Sequence, residues 1–118
     1  MEKLKKQIQS IVDIYKSGNL SKAEHLTKKL ISNNPKIVFL YNLLGLILVE
    51  QKKTDQGMEW YERGIKIDPN FAMIYNNIGL LFFERKTSDN IKKAENFYKK
   101  AISLDKKIPE PQNNLGNL

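Results

Sequence analysis

The chain has 118 residues and a formal net charge of +7, from 20 lysine and arginine residues against 13 aspartate and glutamate residues. This length allows one core of ordinary size but not two independent ones. The chain has no cysteine, which excludes a disulfide framework, a thiol nucleophile and a zinc site built from thiolates.

The N-terminal stretch, MEKLKKQIQSIVDIY, mixes charged and apolar residues at the spacing of an amphipathic helix. It lacks the unbroken apolar segment of a secretory signal. The most apolar run of the chain, residues 39–49, is far shorter than the roughly 20 residues that span a bilayer. We therefore expect a cytoplasmic protein with no membrane partner.

The first predicted element in chain order is a helical hairpin over about residues 4–37. One apolar face runs from Leu4 to Tyr15, SGNLSKAEHL supplies the turn, and a second apolar face ends at SNNP. His25, the only histidine, has mostly lysines as sequence neighbours. A metal ligand or a general base needs partner side chains, so we predict an exposed helix position for it.

A five-residue phrase then recurs along the chain, as YNLLG at 41–45, YNNIG at 75–79 and QNNLG at 112–116. From the first residue of each of the first two copies, apolar and small residues stand at i, i+3, i+4 and i+7, which predicts one face of a helix. A second helix follows each, with the pattern small-x-x-x-aromatic-x-x-small. The two patterns predict helical hairpins over 38–71 and 72–108.

The copies of the phrase start 34 and then 37 residues apart, and the three extra residues fall between Lys86 and Ala94. Three residues are close to one helical turn of 3.6, so we predict a helix lengthened by a turn. Ser88 or Asp89 is the expected N-cap.

These residues resemble the tetratricopeptide repeat, in which an aromatic residue, Leu-Gly, Ala-x-x-x-Phe and a proline recur every 34 residues. The resemblance implies an all-α fold, a right-handed α-solenoid of antiparallel helix hairpins. The array resembles those of the bacterial type. It implies a single domain over 1–118, in which 109–118 begins a further repeat or forms a capping helix. A chain that stops in mid-helix favours an excerpt from the N-terminal part of a longer protein over a cap.

The same resemblance predicts the positions of several glycines in the packing of the helices. Gly45 and Gly79 are expected where two helices press closest, so that a side chain would clash. Gly57 stands where alanine is usual in the family, and we predict that Gly57→Ala is tolerated. The helix near 55–67 is accordingly expected to be the least stable one by intrinsic propensity.

In the resembled family the first helix of each hairpin lines the concave inner surface. Recurring asparagines would there bind the backbone of an extended peptide, because an amide both donates and accepts hydrogen bonds. Apolar neighbours would contact its side chains. The alternatives are solvated amides and apolar residues that complete the hairpin cores. The implied groove residues are Phe39, Asn42, Leu46, Val49, Glu50, Met73, Asn76, Asn77, Leu80, Phe83, Glu84, Asn113, Asn114 and Asn117.

The resemblance implies a protein–protein interaction module with a protein or peptide partner, no catalytic residue, no cofactor and no metal. The alternative is the substrate-recruiting N-terminal region of a bacterial glycosyltransferase or sulfotransferase. The carboxylate clamp of some chaperone adaptors is disfavoured, since Leu46 and Glu110 replace residues that it needs. Nucleic-acid binding is disfavoured because the lysines are scattered and only two arginines are present. Self-association through 109–118 remains an alternative.

Overall fold

The computed structural model describes residues 1–118, which form seven α-helices and no strand, as predicted. Two compact units, Met1–Trp60 and Tyr61–Leu118, divide the chain within the fourth helix. No helix combines the length and the apolar character needed to cross a membrane. The helices are α1 (Glu2–Lys16), α2 (Leu20–Asn33), α3 (Val38–Glu50), α4 (Thr54–Ile67), α5 (Ala72–Glu84), α6 (Ser88–Leu104) and α7 (Pro109–Gly116).

The turn inside each helix pair has one residue in the left-handed region. These residues are Gly18 (φ +93°), Lys52 (φ +67°) and Lys86 (φ +54°), and they are spaced 34 residues apart. Such a residue commonly ends a helix, and glycine adopts it without steric cost. The 34-residue period therefore extends into the first hairpin, where the sequence pattern is weakest.

A second recurring contact fixes the start of the first helix in each repeat. The side chain at the first position of the repeated phrase donates a hydrogen bond to the backbone carbonyl six residues earlier. The three bonds run from Tyr41 Oη to Pro35 O (2.6 Å), from Tyr75 Oη to Pro69 O (2.8 Å) and from Gln112 Nε2 to Lys106 O (2.7 Å). Glutamine thus replaces tyrosine in the third copy without loss of the bond.

The three extra residues lengthen α6, which has 17 residues where α2 and α4 have 14. The predicted additional turn is therefore present. Its predicted cap is wrong, because the N-cap is Thr87, whose Oγ1 accepts a hydrogen bond from Asn90 N at 3.2 Å. Ser88 and Asp89 lie inside the first turn of the helix.

Glycines bring the two helices of a pair into close contact, as expected. A Cβ added at Gly79 on α5 would lie 2.6 Å from the ring of Tyr98 on α6. At Gly57 on α4 an added Cβ would meet Val49 Cγ2 at 2.7 Å and the carbonyl oxygen of Gly45 at 2.9 Å. The prediction that Gly57→Ala is tolerated is therefore wrong, because backbone of the facing helix occupies the space that a methyl group needs.

The first unit has a continuous apolar core in which Leu40, Leu44 and Ile47 are fully buried. Ile11, also buried, stands on α1 where glycine is found in the later repeats. A branched side chain there keeps α1 and α2 from the close approach that glycine allows. A cleft of about 240 Å³ lies between the two helices, lined by Ile11, Leu26 and Leu30 among others.

Polar side chains connect α2 to the turn between α3 and α4 in the same unit. Glu24 accepts hydrogen bonds from Gln51 Nε2 at 2.7 Å and from Lys53 Nζ at 3.3 Å, while Lys28 Nζ lies 2.8 Å away on α2 itself. These bonds hold the first hairpin against the second. His25, the next residue, is exposed as predicted.

The second unit is built around the α5–α6 hairpin, with α7 packed on both of its helices. Ala72, Tyr75 and Ala101 form a small buried cluster, against which Phe97 and Leu104 pack. Small residues allow this close approach, and the aromatic side chains fill the remaining space. The packing of α7 on α5 also brings Asn114 of α7 within hydrogen-bonding distance of Asn76 of α5.

Candidate binding surface

The α3 helix carries a stripe of residues at i, i+4, i+7 and i+11, which a helix places on one face. Phe39 begins it and is 40% exposed, Leu43 is buried, Leu46 is half-buried and Glu50 is exposed. Most of the α3 helix is buried, and apolar surface that stays partly exposed on such a helix indicates a binding site for a partner. The α3 helix therefore has an accessible apolar stripe that ends in a carboxylate.

The equivalent stripe on α5 lies 34 residues later and has the same chemistry at three of its four positions, with Asn77 in place of Leu43. Met73 and Leu80 are half-buried, Asn77 between them is buried, and Glu84 at the end is exposed. The repeat therefore preserves both the partial exposure and the terminal carboxylate. We call these two sets of residues, 39/43/46/50 and 73/77/80/84, the α3 stripe and the α5 stripe.

The carboxylates at the ends of the two stripes have similar electrostatic surroundings. The pKa of Tyr15 on α1 is raised, first by burial and second by the negative charge of Glu50. The pKa of Tyr98 on α6 is raised in the same way, first by burial and second by Glu84. Each exposed glutamate thus lies close enough to a tyrosine of its own unit to disfavour ionisation of the tyrosine hydroxyl.

The predicted asparagine row is largely buried. Asn76 is 1% exposed, and its Oδ1 accepts a hydrogen bond from Asn114 Nδ2 at 2.8 Å. Its own Nδ2 lies 3.5 Å from Asn77 Oδ1, and both Asn77 and Asn42 are buried as well. A buried polar group is stable only when it is hydrogen-bonded, and these amides have such partners inside the protein. They are therefore not available to the backbone of a ligand in this structure.

The other predicted groove residues occupy several environments. Asn113 and Asn117 on and after α7 are exposed, whereas Asn114 is half-buried by its bond to Asn76. Val49 and Phe83 are half-buried, and Val49 packs where Gly57 approaches α3. The accessible surface on the first helices is therefore more apolar and less rich in amides than the sequence predicts.

The bond between Asn76 and Asn114 is the feature that sequence analysis missed. The two residues are 38 positions apart and sit at neighbouring positions of the phrase, as the first asparagine of YNNIG and the second of QNNLG. Asparagines that recur in a repeat array can bind a ligand, or they can form hydrogen bonds with one another between repeats. The pair of adjacent asparagines favours the structural role, because a ligand-facing helix position does not require a neighbour of the same type.

Comparison with known families agrees with this architecture. A family model described as TPR repeat matches residues 39–85, and a second, described as tetratricopeptide repeat, matches residues 72–108. The chain belongs to the tetratricopeptide repeat family. The two matches together cover the second and third hairpins, where the sequence follows the repeat pattern best. No protein with a curated description matches the chain by sequence.

Solved structures of other proteins share the fold of this tetratricopeptide repeat chain. The first TPR of Spaghetti (RPAP3), bound to the HSP90 peptide SRMEEVD, is similar with a TM-score of 0.81 at 16% identity, over 98% of this chain and 90% of that one. MamA is similar with a TM-score of 0.77 at 18% identity, over 97% of this chain and 65% of that one.

A third structure, of Naa15/Naa10 bound to HypK-THB, is similar with a TM-score of 0.79 at 20% identity, over 96% of this chain. This chain spans only 17% of that one. At these identities the similarity establishes the fold alone, which is all-α, of helical repeats in the α-solenoid class.

Proposed function

We propose that this chain is a protein-interaction module that binds an extended peptide or protein segment along the first helices of its hairpins, the surface that lines the concave groove in this family. The observation that carries the proposal is the pair of equivalent stripes on α3 and α5, both of which keep apolar side chains partly exposed. In support, the similar RPAP3 domain is bound to a peptide and the Naa15/Naa10 structure is bound to HypK-THB.

The two stripes define the chemistry of the ligand that the proposal expects. Apolar side chains of the ligand contact Phe39 and Leu46 or Met73 and Leu80, which gives affinity through buried apolar area. The terminal carboxylates, Glu50 and Glu84, favour a basic residue near each end of that contact and disfavour an acidic one. The proposal assigns no catalytic residue.

The buried amides have a supporting role in this proposal. Asn76 and Asn114 connect α5 to α7, so the surface is held in one arrangement before a ligand binds. A preformed surface loses little conformational entropy on binding, which improves affinity. The amides therefore act on binding through the position of α5, not through contact with the ligand.

Selection from a phage-displayed random peptide library, followed by fluorescence anisotropy with the selected peptides, tests the proposal. Phe39→Ser is expected to weaken binding at least tenfold, because Phe39 is the most exposed apolar member of the α3 stripe. Ile67→Ser is the matched control, since Ile67 on α4 is 39% exposed, close to the 40% of Phe39, and lies outside both stripes.

Binding that falls equally in Phe39→Ser and Ile67→Ser contradicts the proposed surface, as does selection of peptides that are uniformly acidic. A second variant, Leu80→Ser on α5, separates the two stripes. The melting temperature of each variant, followed by circular dichroism, distinguishes lost contacts from lost folding.

A further inference from the structure

The α6 helix and its two ends carry basic residues in pairs with a seven-residue spacing. Seven residues are close to two helical turns, so the two pairs on α6 itself lie on the same face of that helix, whereas the other two pairs lie in the turns at its ends. All eight side chains are exposed. The pairs are Arg85 and Lys86, Lys92 and Lys93, Lys99 and Lys100, and Lys106 and Lys107. We call these eight residues the basic face.

Two of the α6 lysines share one neighbouring carboxylate, which offsets part of their charge. Glu95 Oε2 lies 3.3 Å from Lys92 Nζ and 3.7 Å from Lys99 Nζ. A salt bridge of this kind lowers the attraction of both lysines for any further anion. Lys92, Lys99 and Glu95 together keep one positive charge, and the second lysines of the two pairs, Lys93 and Lys100, add two more.

Aromatic rings hold those second lysines in place. Lys93 Nζ lies 5.5 Å from the centre of the Phe82 ring, and Lys100 Nζ lies 5.8 Å from the centre of the Tyr75 ring. The guanidinium carbon of Arg85 lies 5.5 Å from the same Phe82 ring. A ring attracts a cation through its quadrupole but has no net charge, so it positions the cation without neutralising it.

The aromatic ring beside Arg85 and Lys93 is packed against a second ring. The rings of Phe82 and Phe97 are stacked, with centroids 5.5 Å apart and planes within 6° of parallel. The result is a set of three cations, Arg85, Lys93 and Lys100, each placed beside a half-buried or buried aromatic ring. Lys93 and Lys100 are two turns apart, so their spacing along the helix is about 10 Å. Side chains that are already ordered lose less entropy when an anion binds.

We propose that the basic face is a second binding surface, which takes an acidic polypeptide segment with carboxylates spaced about 10 Å apart. It lies on the second helix of its hairpin and on the turns at the two ends of that helix, and it includes none of the residues of the α3 and α5 stripes. Its ligand has the opposite charge preference to the one expected at Glu50 and Glu84. This proposal is independent of the peptide site proposed on the first helices.

The surroundings of the cations favour an acidic polypeptide over other anionic macromolecules. Single-stranded nucleic acid is bound by aromatic faces that stack on bases, but Phe82 and Phe97 stack on each other and carry cations. Insertion of a helix into a membrane surface buries large apolar side chains, and α6 has none of the exposed large hydrophobic residues of this chain.

A fluorescein-labelled peptide of 15 glutamates is the probe, and its anisotropy with the full chain is measured at 50 and 200 mM NaCl. The double variant Lys93→Glu/Lys100→Glu is expected to weaken binding at least tenfold. The control, Lys3→Glu/Lys6→Glu on α1, changes the net charge by the same amount at exposed positions and is expected to weaken binding less than threefold.

A gain-of-affinity variant makes the test independent of folding defects. Glu95→Gln removes the carboxylate that pairs with Lys92 and Lys99, and it is expected to tighten binding two- to fivefold. Equal losses in the two double variants overturn the proposal, as does weaker binding in Glu95→Gln. Tighter binding of a 15-nucleotide oligo-U RNA or of phosphatidylserine vesicles than of the glutamate peptide overturns it in favour of those anions.

Discussion

The carbonyl oxygen of Gly45 on α3 lies 2.9 Å from the point that a Cβ at Gly57 on α4 would occupy. Gly57→Ala gains about 1 kcal/mol of helix propensity but forces a methyl group against backbone, which costs roughly 1–3 kcal/mol. We expect a net loss of about 1 kcal/mol in the free energy of unfolding, measured by urea denaturation. Gly116→Ala on α7 is the control, because an added Cβ there meets nothing within 4 Å and should not destabilise the protein.

Tyr98 is fully buried on α6, and its hydroxyl makes no hydrogen bond. A buried hydroxyl without a partner destabilises a protein by about 1–3 kcal/mol, so Tyr98→Phe is expected to raise the free energy of unfolding by about 1 kcal/mol. Tyr75→Phe is the control with the opposite sign. It removes the bond to Pro69 O and should lower that free energy by about 1 kcal/mol. Equal effects of the two substitutions contradict this explanation.

Glu24 should make the stability of the protein depend on acid pH. The hydrogen bond from Lys28 is the main cause that lowers the pKa of Glu24 from 4.5 to about 2, with Gln51 and Lys53 adding to it and burial opposing. A folded-state pKa below the unfolded value stabilises the protein above about pH 4.5, and this stabilisation is lost as the pH falls towards 2.

The Glu24 side chain is 15% exposed but its lysine partners are about half exposed, so solvent screening reduces the contribution to about 1–2 kcal/mol. Glu24→Gln should remove that amount at pH 7 and flatten the dependence of unfolding free energy on pH between 2 and 4.5. Glu59→Gln, at an exposed position of α4, should leave the dependence unchanged.

The bond between Asn114 and Asn76 should contribute to stability, whatever its effect on a ligand. Asn114→Ala leaves the buried Oδ1 of Asn76 without this donor and should lower the free energy of unfolding by about 1–2 kcal/mol. Asn113→Ala, one residue earlier and exposed, should change it by less than about 0.5 kcal/mol. If the two variants unfold alike, the amide bond does not hold α7 on α5.

Local sequence determined the helices and their pairing. The repeated phrase, the small residues of the second helices and the extra turn of α6 all follow from spacings within about 40 residues, because helical periodicity and close contact leave a direct pattern in residue type. Even the hydrogen bond that Gln112 makes in place of tyrosine depends only on positions six residues apart.

Tertiary structure alone decided what lies opposite each helix face. Periodicity places Asn76 on a face of α5 but does not reveal that Asn114 of α7 covers it, and it places Gly57 at a contact without giving the distance to Gly45. Those outcomes depend on separations of a few tenths of an ångström between elements that are distant in sequence, because a packed interior leaves no room for an extra methyl group or an unpaired amide.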